Sequence, residues 1–179
     1  PSASSASSSS SACASPARLL LLMFGGQSIG AKGSRSSLGF RPAADALPPN
    51  WTCVVSHGAW PFENDKDDDE EEDDKLCTHG RFVRLPRDAY IPDVIKAADC
   101  VLGKIGYGST SEVIVHRVPL IFITRAHFNE EPSLRNLLFK HENAIEMPKD
   151  DFVKPWADYL DRAVRLQPNF RGPSDGAEK

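Results

Sequence analysis

Several chemistries are missing from this chain. Leu19–Phe24 is apolar but far shorter than the about 20 residues a membrane-spanning helix needs. With the Ser/Ala tract ahead of it, the run faintly imitates a secretory signal. No basic region precedes it, however, and it ends in Gly-Gly-Gln like a first Rossmann strand. The four cysteines (Cys13, Cys53, Cys77, Cys100) have neither metal nor redox spacing, which predicts buried or free thiols in a reducing, cytoplasmic compartment. The five histidines show no paired ligand spacing, so no metal site is expected. The dinucleotide fingerprint G-x-G-x-x-G is absent, which argues against a nicotinamide site. A Gly/Ser-rich phosphate motif of sugar kinases is absent too. With a formal net charge of −4, nothing points to nucleic acid.

What is present is unevenly distributed. Glu63–Asp74 holds ten acidic residues and one lysine; without that run the chain has 20 basic and 15 acidic residues. The remainder is mildly basic, which suits an anionic ligand. The run itself reads as a solvated, disordered insert. Residues 1–17 form a disordered Ser/Ala-rich segment and 171–179 a tail, leaving one domain over 18–170. A start at proline suggests a fragment or a processed product. Asn50-Trp-Thr52 is a formal glycosylation sequon at a strand start, relevant only in a secreted protein.

Strand-like runs fall at Arg18–Phe24, Trp51–Ser56, Phe82–Leu85, Cys100–Leu102, Leu120–Thr124 and Ala144–Glu146. Helical patterns fall at Pro92–Ala98, Thr110–His116, Pro132–His141 and Asp151–Leu166. Gly25–Ala46 stands where a Rossmann unit wants a helix, but it makes a poor one. The alternation predicts an α/β domain with a parallel sheet flanked by helices.

The most informative stretch is Asp99–Glu112: a short buried strand, a turn with Gly103, Gly106 and Gly108, then a helix start. Glycines let backbone approach a ligand without Cβ clashes, and a helix N-terminus offers free N–H groups to an anion. A phosphate or diphosphate fits there, held by Gly106, Tyr107, Gly108 and the hydroxyls of Ser109, Thr110 and Ser111. The alternative is a tight turn with no ligand. Ser109-Thr-Ser-Glu112 also fits a capping box, with Ser109 as N-cap and Glu112 at N3.

Gly106-Tyr-Gly-Ser-Thr-Ser-Glu112, Val118-Pro119 and Asn129-Glu-Glu-Pro-Ser-Leu-Arg-Asn136 together resemble the nucleotide-sugar half of GT-B glycosyltransferases of the family 28 type. Leu22-Met-Phe-Gly-Gly-Gln27, Leu47-Pro-Pro-Asn-Trp51, Leu85-Pro-Arg-Asp-Ala-Tyr90, Gly103-Lys-Ile-Gly-Tyr-Gly108 and Phe128-Asn-Glu-Glu-Pro132 resemble, in the same order, the glycosyltransferase-like amino-terminal region of plant L-arabinokinases. The resemblance implies a Rossmann-like fold, one half of GT-B, in a transferase of carbohydrate metabolism with a UDP-sugar as ligand and no further cofactor.

It also implies roles residue by residue. Gly25, Gly26 and Gln27 would line the cleft below the donor phosphates, and Lys104 would neutralise them. Glu112 would take the ribose hydroxyls. Asn129, Glu130 and Glu131, with His127, would face the donor sugar, although acidic residues also suit a helix N-terminus. Pro86–Ile91 would meet the base through backbone groups. The acceptor-side half, which carries the catalytic base, is absent, as is a kinase domain, so no catalytic residue is assigned and this chain alone should be inactive. The competing reading is a non-catalytic sensor or scaffold region of an L-arabinokinase-like sugar kinase.

Overall fold

A computed structural model describes residues 16–24, 42–43, 45–62, 78–124 and 129–172. Its seven strands and four α-helices, alternating from β4 onward, are β1 (Arg18–Met23), β2 (Trp51–Val55), β3 (Thr78–His79), β4 (Phe82–Arg84), α1 (Ile91–Ala97), β5 (Cys100–Gly103), α2 (Tyr107–His116), β6 (Leu120–Ile123), α3 (Glu131–Lys140), β7 (Ala144–Met147) and α4 (Ala157–Ala163). They form one sheet in the order β3-β4-β2-β1-β5-β6-β7. Every neighbouring pair is parallel except β3–β4. Leaving β3 aside, the parallel strands stand in the doubly wound order, in which the first and fourth are central neighbours.

Alternation of side chains across the strands builds a core on each face. On one face Leu20, Leu22, Cys53, Val55, Cys100, Leu102, Ile121 and Met147 pack with Phe152, Trp156 and Leu160. On the other, Leu21, Val101, Leu120 and Phe122 pack with Ile95, Val113, Leu134 and Leu138 of α1, α2 and α3. Because both faces are covered, the strands read as unbroken apolar runs rather than alternating ones. Cys53 and Cys100 both pair in register with Leu20, one on each side of it. Burial pushes both thiols well up, which makes them inert packing groups.

Two expected elements differ. β3 was not anticipated; it is a two-residue strand whose hairpin depends on Gly80 at φ 61, a conformation glycine supplies. The expected helix over Asp151–Leu166 is instead a 3-10 turn at Lys149–Asp151, a non-helical step through Pro155, and the short α4. Proline disfavours helical backbone in the residue before it, so the pattern cannot run through. Trp156 and Leu160 do face the core, and its indole N–H donates to the Phe152 carbonyl at 2.9 Å.

The Ser/Ala tract, the turn at Gly25–Gln27 with most of the weak helical stretch behind it, the acidic insert, His127, Cys13 and Cys77 lie outside the described residues.

Candidate nucleotide site

β1 and β5 lie side by side, yet the chain leaves β1 toward β2 and leaves β5 toward β6. That divergence opens a crevice at their carboxyl ends, where open α/β sheets bind ligands. Met23 pairs with Gly103 at that edge. A Cβ on Gly103 would collide with the Met23 carbonyl oxygen, so glycine is required there by the sheet itself.

The other two glycines have no such reason. Gly106 is extended (φ −156, ψ 161), which any residue adopts, and a Cβ on it would sit 3.5 Å from Ser109 Oγ, an ordinary contact. A Cβ on Gly108 would meet nothing within 4 Å. Neither is demanded by folding, and Gly108 costs helix propensity in the first turn of α2. What their small size does keep is open space before the helix N-terminus.

That N-terminus is uncapped by any side chain. Gly106 is the N-cap, and the first intrahelical bond runs from the Thr110 N–H to the Gly106 carbonyl (2.9 Å). The helix therefore starts three residues earlier than expected, and the Ser109–Glu112 capping box does not form. Ser109 lies within the first turn and its hydroxyl donates back to the Gly106 carbonyl (3.2 Å) and, more weakly, to that of Lys104 (3.4 Å). Ser111 bonds back to the Tyr107 carbonyl at 2.9 Å. Thr110 is buried, with its hydroxyl unpartnered and its amide already engaged with the Gly106 carbonyl. Glu112 is half-buried, with no hydrogen bond or ion pair to any described residue.

Asn129 and Glu130 are exposed, and Glu131 opens α3 almost fully buried. Since β5 and β6 are adjacent and parallel, the Lys104–Glu112 and Asn129–Glu131 segments leave the same sheet edge next to each other. Arg135 is engaged within the fold: it pairs with Glu146 and lies over the rings of Phe122 and Phe139 at 5.9 and 5.5 Å.

No family model matches the chain. L-arabinokinase of Arabidopsis thaliana is 37% identical over 161 residues, 89% of this chain and 13% of that protein. The kitacinnamycin glycotransferase aligns with 83% of this chain and 34% of its own, at 16% identity and a TM-score of 0.50. Arabidopsis thaliana UGT89C1, solved with UDP, aligns over 85% of this chain and 35% of its own at 17% identity and a TM-score of 0.42. The fold is one half of GT-B. The resemblance to L-arabinokinase holds along nearly the whole chain, while the chain spans about an eighth of that relative's length. Within this GT-B half, Gly106–Glu112 stands at the central crevice. No described helix is long and apolar enough to cross a membrane.

Proposed function

We propose that this domain binds a nucleotide sugar, a UDP-sugar, as the donor-side half of a GT-B-type hexosyltransferase in the cytoplasm. The carrying observation is that Gly106 and Gly108, free of any packing or backbone requirement, stand before an uncapped helix N-terminus at the switch point of the sheet. The diphosphate sits on the amides of Tyr107, Gly108 and Ser109, where the helix dipole favours negative charge. Lys104 adds positive charge beside it. Glu112, one and a half turns further along α2, accepts the two ribose hydroxyls. Gly25–Gln27 follow β1 in the sequence and are assigned to the donor phosphates by the resemblance alone. Asn129 and Glu130 approach the sugar from the next loop, and Glu131 follows them at the start of α3.

Titration calorimetry of the chain with UDP and ADP tests this. UDP binding tighter than ADP supports the reading; a preference for adenine, or for a dinucleotide, overturns it.

The similarity to L-arabinokinase favours a second reading, in which the domain belongs to a sugar-kinase-like parent and binds without turnover, as a sensor or scaffold. Nucleotide binding with no glycosyl transfer by the full-length parent supports the sensor. No binding supports the scaffold.

A further inference from the structure

The sheet has two edges. One is the two-residue β3. The other is β7, which pairs with β6 and, among the described residues, has no backbone partner on its outer side. An open edge is a template for another chain, and proteins close it with proline, charge or a covering segment. Pro148 follows β7 directly, and Glu146 puts a carboxylate on it. The covering segment is the stretch after α4. Leu166 packs with the core on the α4 face, and Phe170 with the core on the face of α1, α2 and α3. Between them the chain passes from one face of the sheet to the other. It does so at the amino end of β7. There the Asn169 N–H donates to the His141 carbonyl (3.1 Å), and Asn169 Oδ1 lies 3.2 Å from His141 Nδ1. The Phe170 ring meets the His141 imidazole edge-on, with centroids 5.3 Å apart. A Cβ on Gly172 would collide with the Phe170 ring, so the chain folds back close over it.

We infer that residues 166–172 are a strap that shuts the β7 edge against a second copy of this chain, and that releasing the strap opens a dimer interface there. Two copies related by a two-fold axis through that edge pair their β7 strands antiparallel. Ile145 and Met147 face the α4 side, while Ala144 and Glu146 face the other. Residues opposite each other in such a pair share a face. Centred on Ile145, the register sets Ile145 against itself and Glu146 against Ala144 of the second copy. The two carboxylates are then not directly opposed, so no like-charge pair resists the association. In the same register Pro148 and Lys149 of the second copy run toward Glu142 and His141, where Asn169 is bonded. Strap and second copy compete for one position. The inference is independent of the nucleotide reading.

Size-exclusion chromatography with light scattering, followed by amide hydrogen exchange, tests this on three chains. They are the wild type, a chain ending at Arg165, and Asn169→Pro, which loses both bonds to His141 but keeps Phe170. The wild type should be monomeric. Both variants should approach twice the monomer mass as concentration rises, with slowed exchange at Ala144–Met147 in the dimer. If the shortened chain does not fold, Asn169→Pro, altered at one exposed position, carries the expectation by itself. A folded variant that stays monomeric overturns the inference. Association without added protection at β7 overturns it as well, because the interface would then lie elsewhere. So does a wild-type chain already paired through β7, since the strap would not be blocking that edge.

Discussion

Glu112 lies six residues into α2, and that position separates its two candidate roles. A capping glutamate has to reach the N-cap amide from the third helical position; with Gly106 as N-cap, Glu112 is three residues too far along. Its carboxylate stabilises no part of the described structure. Glu112→Gln should therefore melt with the wild type while losing about 1–3 kcal/mol of UDP affinity, the scale of a hydrogen bond to a charged group. Calorimetry and thermal denaturation read the two effects separately, and unchanged affinity would return Glu112 to the surface. The glycines divide the same way. Gly103→Ala drives a methyl into the Met23 carbonyl and should destabilise the domain. Gly108→Ala adds a methyl to open space in a helix and should stabilise it by about 0.5–1 kcal/mol, while weakening nucleotide binding by filling the approach to the amides. Sequence alone joined the three glycines into one turn. It holds no trace of which one the Met23 carbonyl presses against, because that contact is made across 80 residues of chain.

At the scale of elements, strands and central helices were legible because burial on both faces writes them as apolar runs bounded by Gly, Pro and Asp. Cys100–Gly103 and Leu120–Ile123 are the clearest cases. The start of α2 was not, because a glycine N-cap leaves no side-chain signal and Ser109 imitates one. The last helix was over-extended because Trp156, Leu160 and Val164 keep helical spacing on both sides of where the regular structure ends. Its entry is held instead by a polar clamp: Asp151, at the end of the 3-10 turn, accepts from the Tyr159 hydroxyl (2.5 Å) and pairs with Lys154 (2.6 Å). The bond to Asp151, with burial and the carboxylate charge behind it, pushes the Tyr159 phenol up to about 12. The bond from Lys154 and then that from Tyr159 hold the Asp151 carboxyl below its usual value.

The signs give a window. The carboxylate's contribution is present above its unfolded pKa of about 4 and is lost as pH falls through the depressed folded value. The phenol's is full below about 10 and is lost as pH rises toward 12. In Asp151→Asn the Tyr159 ring resonance, followed by NMR, should titrate nearer 10; a titration still near 12 would place the cause elsewhere. A second clamp joins the turns before β6 and β7. The buried Asn143 amide donates to the Val118 carbonyl at 2.9 Å while its own carbonyl oxygen has no partner. Asn143→Ala leaves the Val118 acceptor unpaired and should cost about 1–3 kcal/mol in denaturant unfolding.

At the scale of the whole molecule, alternation of strands and helices was enough to predict a parallel sheet flanked by helices, and the observed doubly wound order of the parallel strands then places the crevice. The β3–β4 hairpin escaped because its two-residue strand lies just past the acidic run, where no apolar pattern can show. That run is also where the molecule is open to a decisive change. Phe62 and His79, on either side of residues 63–77, stack with ring centroids 4.0 Å apart, so the chain leaves and re-enters the fold at nearly one point. Closing so short a gap needs few residues, and shortening a long loop lowers its closure entropy only slowly. Deleting Asn64–Asp74 takes away nine carboxylates and one lysine and touches none of the described core. The melting temperature should stay within a few degrees of the wild type. UDP affinity should rise slightly in low salt, because the removed charge repels an anionic ligand over a Debye length, and that gain should vanish above roughly 0.15 M salt as screening takes over. A large fall in stability, or a wild-type fold that depends on a divalent cation while the deletion variant does not, would show that the acidic run is a structural part of this domain.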